Sequence, residues 1–199
     1  DGDNVIKSKG AIHYLTSEEI ENNKEYLFSI SNKLKNGNII SLIIGGPTQY
    51  YDYSDRNIQE IFSKVNFLVK ENNLSLVVIP SMRTPKETIE HAKIYFGNDH
   101  LVLDAVDKKA YLSALSISKY IVITCDSSSM ISEAALTGKP IYIAAIPPKK
   151  NDKRFKNFRK LFHEMKIVRE LGEKLENWSY EKLDETNRIA NIIRDKIQL

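Results

Sequence analysis

Ile121-Val-Ile-Thr-Cys-Asp-Ser-Ser-Ser-Met-Ile-Ser-Glu-Ala-Ala-Leu-Thr-Gly-Lys-Pro-Ile141 is the stretch whose reading decides the fold. A β-branched run stops at Asp126-Ser127-Ser128-Ser129 and passes straight into helical spacing, so a strand delivers a helix N-terminus here. Serines at such a start are first of all N-caps. They also stand where backbone N–H groups are free and the helix dipole is positive, which suits a phosphate. Glu133 shares a helix face with Ser129 and Ser132, while Ile131, Ala134, Ala135 and Gly138 form the opposite stripe and Leu136 falls near the polar one. A diphosphate at Ser127, Ser128 and Ser129 would place its ribose one helical turn on, about 5 Å away, where the Glu133 carboxylate could accept both ribose hydroxyls.

Outward from that stretch, five runs are continuous rather than alternating in polarity: Ile39 to Ile44, Leu74 to Ile79, Leu101 to Leu103, Tyr120 to Thr124 and Pro140 to Ala145. Such runs suit strands buried on both faces. Helical spacing lies between them, at Ile58, Ile61, Phe62, Val65 and Leu68, and again at Ile89, Ala92 and Phe96. The order is that of an α/β protein, a Rossmann-like open parallel sheet with helices on both faces. Ligands of such sheets sit beyond the carboxyl ends of the strands. After the first strand come Gly45, Gly46 and Thr48, where glycine permits close backbone approach to an anion. After the second, Thr84, Pro85 and Glu87 read as a capping box with proline at the first helical position, which leaves Arg83 as a candidate clamp for phosphate or a sugar carboxylate, or as one half of a surface salt bridge.

The segments Ile44-Gly-Gly-Pro-Thr48, Pro80-Ser-Met-Arg-Thr-Pro85 and Thr124 to Pro140, in this order and spacing, resemble the mitochondrial fission family named for elongated mitochondria in plants, whose bacterial members are often labelled nucleoside-diphosphate-sugar epimerases. The resemblance runs from Gly10-Ala-Ile-His13 to Phe155-Lys-Asn-Phe158, about three quarters of the chain. That family is similar in turn to the C-terminal half of GT-B glycosyltransferases. It implies diphosphate contacts from Ser127 to Ser129, ribose binding by Glu133, a backbone contact near Gly46, and a possible ligand contact at His13. The family pattern would have arginine at two positions where this chain carries Tyr14 and Met82.

At 199 residues the chain is long enough for one α/β domain but about half of a two-lobed GT-B enzyme. The sequence divides into a linker and leading helix (1–38), a nucleotide-sugar-binding domain (39–178) and a C-terminal helix (179–199). The leading helix is capped by Thr16 with Glu19 and carries Ile20, Leu27, Ile30 and Leu34 inward. The final one carries Leu183, Ile189, Ile192, Ile193 and Ile197. An N-terminal lobe with the acceptor site and catalytic base is expected outside this chain. One cysteine, Cys125, excludes an internal disulfide and fits packing in a reduced, cytoplasmic compartment. Four scattered histidines show no metal-ligand spacing, so the expectation is chemistry without metal or cofactor.

The net charge of +3 is concentrated in residues 149–160, where seven of twelve are basic and Phe155, Phe158 and Phe162 keep helical spacing. This helix is either docked with a solvated face or, through Lys153, Arg154, Lys156 and Arg159, a contact for an anionic membrane surface, a lipid-linked acceptor or donor phosphate. Nucleic acid is disfavoured because no stacking platform accompanies the charge. The reading is thus a nucleoside-diphosphate-sugar-binding lobe, cytoplasmic or peripheral at a membrane, with a non-enzymatic scaffold and an epimerase as alternatives. The Asn-, Lys- and Ile-rich usage fits a bacterial source.

Overall fold

Hydrophobic continuity builds the sheet. β1 (Ile39–Ile44), β2 (Ser75–Pro80), β4 (Tyr120–Thr124) and β5 (Ile141–Ala144) are buried at every position, whereas β3 (Leu101–Val102) and the edge strand β6 (Val168–Glu170) are short and more open. The computed structural model describes residues 2, 4–34 and 37–197; parts of the expected linker at Asp1 to Asn4 and of residues 35–36 and 198–199 lie outside them. The six strands pair in parallel, in the order β3-β2-β1-β4-β5-β6, and one isolated antiparallel bridge joins Tyr51 to Pro148 outside them. Burying each strand Ile, Leu or Val on both faces is worth about 1.5–3 kcal/mol per side chain, which is why the four central strands set the architecture. Strand order grows outward from β1 in one direction and from β4 in the other, so it reverses between them, and right-handed crossovers then place helices on both faces.

α3 (Asp55–Glu71) and α4 (Lys86–Phe96) follow the periodicity read from sequence, burying Ile58, Ile61, Phe62, Val65 and Leu68, and Ala92 and Phe96. α5 (Lys108–Ile117) has no counterpart in the sequence reading. Its signal was Asp107, whose side chain accepts from Ala110 N–H as an N-cap. β6 was also missed, because three residues with one buried position give no run to detect.

The expected leading helix is two: α1 (Ser17–Asn22), capped by Thr16 through Glu19 N–H as read, and α2 (Tyr26–Ile30). Ser113 of α5 explains the break. Its hydroxyl donates to the Lys24 carbonyl at 2.8 Å and accepts from Leu27 N–H at 3.1 Å, taking the backbone groups that a continuous helix would pair internally. Ile30 is consequently exposed rather than inward. The final helix, α8 (Glu185–Ile197), starts six residues later than Ser179; Leu183 packs ahead of it, and Ile193 and Ile197 are exposed.

Candidate functional site

The carboxyl edge at the β1/β4 reversal is where the loops converge. Asp126 leaves β4 into this edge with a fully buried side chain. Its carboxylate accepts from Gly46 N–H at 3.2 Å, the Tyr53 hydroxyl at 2.5 Å and Arg83 Nη2 at 2.7 Å. Arg83 Nη1 donates to the Gly46 carbonyl at 2.9 Å. Arg83 is therefore held by the protein in this state, as one half of a salt bridge whose other half is buried. A Cβ at Gly45 would collide with the Asp126 carboxylate and one at Gly46 with the Arg83 carbonyl, so both glycines are required by this packing alone. Burial, and then the adjacent Asp126 carboxylate, push the Tyr53 phenol well above its usual range, so it stays a donor.

Thr84 does not cap α4, which begins at Lys86 behind Pro85 without a side-chain cap. Its hydroxyl instead lies 2.7 Å from both the Ile44 and Gly45 carbonyls and accepts from Ser81 N–H. The carbonyls at the end of β1, of which that of Ile44 also accepts from Ser81 N–H at 3.0 Å, hold this hydroxyl away from the helix start. Thr48 folds its own loop, accepting from Tyr50 and Tyr51 N–H at 3.0 and 3.1 Å.

α6 (Ser128–Ala134) is seven residues, closed by a 3-10 turn at Ala135–Thr137 and by Gly138 at φ +72, a left-handed position that favours glycine. Ser127 is the N-cap, accepting weakly from Met130 N–H at 3.4 Å; Ser128 is half-buried and Ser129 exposed. Ser132 and Leu136 are buried, so the face expected to be polar is only partly so. Ser132 donates to the Ser128 carbonyl at 2.8 Å and accepts from Ala11 N–H at 2.9 Å, which pins the segment before α1 to α6.

Glu133 is half-buried and faces a hollow of about 240 Å³ with Tyr14, Pro80, Met82, Val106 and Met130. The Tyr111 hydroxyl donates to Glu133 Oε2 at 2.6 Å, while Oε1 accepts from no described residue. Burial, then the neighbouring carboxylate, raise the Tyr111 phenol far above its usual value, fixing it as the donor. Tyr111 escaped the sequence reading because α5 did. Met82 and Tyr14, the two departures from the family pattern, are 86% and 75% exposed at this same hollow and make its mouth apolar.

His13 is placed elsewhere: its backbone exchanges bonds with the Thr186 hydroxyl of α8, and its Nδ1 is buried without a partner. On α7 (Lys153–Glu164), Lys153, Arg154 and Lys156 are exposed, but Arg159 turns inward to Asp152 at 3.1 Å, the Tyr51 hydroxyl at 2.8 Å and the Cys125 carbonyl at 3.3 Å. The bond from Tyr51, and then Arg159, keep the Asp152 carboxyl below its ordinary range. Cys125 is buried, accepts from Ile146 N–H, and its thiol is pushed by burial up to about 11, as a packing residue should be. Among the described residues no three His, Cys, Asp or Glu cluster as metal ligands, and no helix is long and apolar enough to cross a membrane.

A family model described as Mitochondrial fission ELM1 matches residues 1–197. The chain belongs to this family. The resemblance read from the serine stretch is thus borne out. An uncharacterized protein of Rickettsia prowazekii (strain Madrid E) is 32% identical over 170 residues, covering 80% of this chain and 47% of its own. The mitochondrial fission protein ELM1 of Arabidopsis thaliana is 31% identical over 115 residues, 56% of this chain and 25% of its own. This chain therefore spans half or less of the length of these two relatives. Among solved structures, the UDP-GlcNAc 2-epimerase of Neisseria meningitidis bound to UDP-GlcNAc is similar over 89% of this chain and 40% of its own, at 14% identity and TM-score 0.48.

Proposed function

We propose that this chain is a nucleoside-diphosphate-sugar-binding lobe of the GT-B type. The observation that carries the reading is the half-satisfied Glu133 carboxylate: Tyr111 orients it from one side, its second oxygen is open, and it borders an apolar hollow at the strand-order reversal. A nucleobase fits that hollow, the ribose hydroxyls donate to Glu133, and the diphosphate lies toward Ser127, Ser128 and Ser129 with Gly46 nearby. Two of the five Arg83 N–H groups are taken by Asp126 and the Gly46 carbonyl, which leaves three for a phosphate. The acceptor site and catalytic base belong to a second lobe, so the activity of the whole protein, transfer or epimerisation of the sugar, is decided by product analysis on the full-length protein.

Thermal denaturation with millimolar UDP, GDP, ADP and CDP tests the reading. One of them is expected to raise the melting temperature, and Glu133→Ala to remove that rise, each protein being measured against its own unliganded melting temperature. No shift with any of the four overturns it. A second reading is favoured by Lys153, Arg154 and Lys156, exposed on one helix with no side-chain partner among the described residues: a scaffold that meets an anionic membrane or a lipid-linked acceptor. Co-sedimentation with phosphatidylserine vesicles, lost when these three become Glu, supports it; unchanged sedimentation removes it.

A further inference from the structure

A second hollow, of about 380 Å³, lies on the other flank of the serine turn and shares no lining residue with the hollow beside Glu133. Ser128 reaches it from α6, Lys9 and Gly10 from the segment before α1, and Arg154, Phe155 and Phe158 from α7. Residues 154, 155 and 158 share a helix face, which is why one helix supplies both a guanidinium and an aromatic wall. The rings are braced from behind: Phe155 packs edge-on to Tyr50 and Tyr51 at 5.5 and 5.6 Å, and Phe158 lies 4.3 Å from Phe162. Both remain half-exposed, leaving apolar ring surface toward the hollow.

Arg154 differs from the other arginines near the crevice. Arg83 is held by Asp126 and Gly46, and Arg159 by Asp152, Tyr51 and Cys125. Arg154 is exposed and its side chain has no hydrogen bond or ion pair among the described residues. The Lys9 charge adds to it, though shared with the buried Glu185 that Arg188 already neutralises. A free guanidinium fork recognises a carboxylate or phosphate in two parallel bonds, and an aromatic wall accepts the apolar face of a pyranose. Ser128 and Glu133 are five positions apart on α6, about 7.5 Å by helix rise, a gap that a diphosphate bridges.

We propose that this second hollow receives the glycosyl group of the nucleotide sugar, and that Arg154 selects a sugar bearing a carboxylate. The proposal rests on the nucleotide-sugar reading above, with the diphosphate at the serine turn between the two hollows. Phe155 and Phe158 hold the ring, and Arg154 reads its acid group.

Isothermal titration of the 199-residue chain with glucose 1-phosphate, glucuronic acid 1-phosphate, UDP, UDP-glucose and UDP-glucuronic acid tests this. The glucuronosyl compounds are expected to bind about tenfold tighter than their glucosyl counterparts, the gain of one charge-assisted pair. Arg154→Gln should erase that preference and leave UDP affinity unchanged; Phe158→Leu should weaken both sugar phosphates together. Equal affinity for the two sugars overturns the proposal, as does Arg154→Gln weakening UDP as much as UDP-glucuronic acid, since the guanidinium then grips the diphosphate. UDP binding without sugar preference sinks the proposal alone. Preference among the sugar 1-phosphates with no binding of UDP, GDP, ADP or CDP sinks the nucleoside reading alone, and no binding by any of these compounds sinks both.

Discussion

Two carboxylates stand seven residues apart at one crevice and are treated oppositely. Asp126 is closed: three donors converge on a fully buried group. Glu133 is open: one phenol orients it, and the rest of its capacity faces a hollow. The difference teaches how a folded chain separates scaffold from site. Polar groups satisfied internally fix the loops in place; groups left half-satisfied in a concavity are what a ligand can complete.

Removing the closed carboxylate should cost most. Asp126→Ala leaves Gly46 N–H without an acceptor, leaves the Tyr53 O–H only Thr124 Oγ1 at 2.9 Å and frees Arg83, so a loss of about 3 kcal/mol is expected in urea denaturation. A loss below about 1 kcal/mol would show that water replaces the knot and that the contrast is false. Gly46→Ala attacks the same knot through backbone rather than charge. The added Cβ meets the Arg83 carbonyl, which cannot move without β2's loop, and about 1–3 kcal/mol should be lost. A neutral result would mean the loops slide independently.

Lys139 sharpens the comparison from the amino end of the sheet, where a charge is enclosed without a carboxylate in contact. Its ammonium caps α5 by donating to the Leu115 and Ser116 carbonyls, and burial lowers it from 10.5 to about 8. Between those values the folded chain holds fewer protons than the unfolded one. Its contribution to stability therefore rises with pH across that window, by up to about 1.4 kcal/mol per unit, and its desolvation cost is full below pH 8. Chemical denaturation at pH 7.5 and 9.5 should show wild type gaining on Lys139→Met by about 1 kcal/mol; parallel profiles would mean the amine is solvated. The smallest effect belongs to the open carboxylate. Glu133→Gln, which keeps an acceptor for the buried Tyr111 hydroxyl, should change unliganded stability by no more than about 0.5 kcal/mol. A larger loss would place Glu133 with Asp126, among the scaffold.

The sheet was legible because its information is local. Ile39 to Ile44 and Tyr120 to Thr124 can only be strands buried on both faces, and their ends locate the loops that matter. Thr16 as a cap and Cys125 as a packing residue were legible for the same reason. Thr84 and Ser132 were not. Each carries a strong local signal, a capping box and a polar helix stripe, that is overridden by carbonyls and amides from distant segments, Ile44 and Gly45 for one and Ala11 for the other. The break between α1 and α2 has the same origin, since Ser113 lies 86 positions from Leu27.

By itself, then, the sequence determined a parallel α/β chain, its family, and the carboxyl edge of the sheet to which Gly46, Arg83 and Ser128 belong. Only the tertiary structure decided that Arg83 and Arg159 are already engaged, that Arg154 is not, and that Glu133 keeps one oxygen free. The physical reason is that burial patterns repeat at short spacing and can be read along the chain. A hydrogen-bonding group, by contrast, takes whichever unsatisfied partner the fold brings within about 3 Å, however far away in sequence.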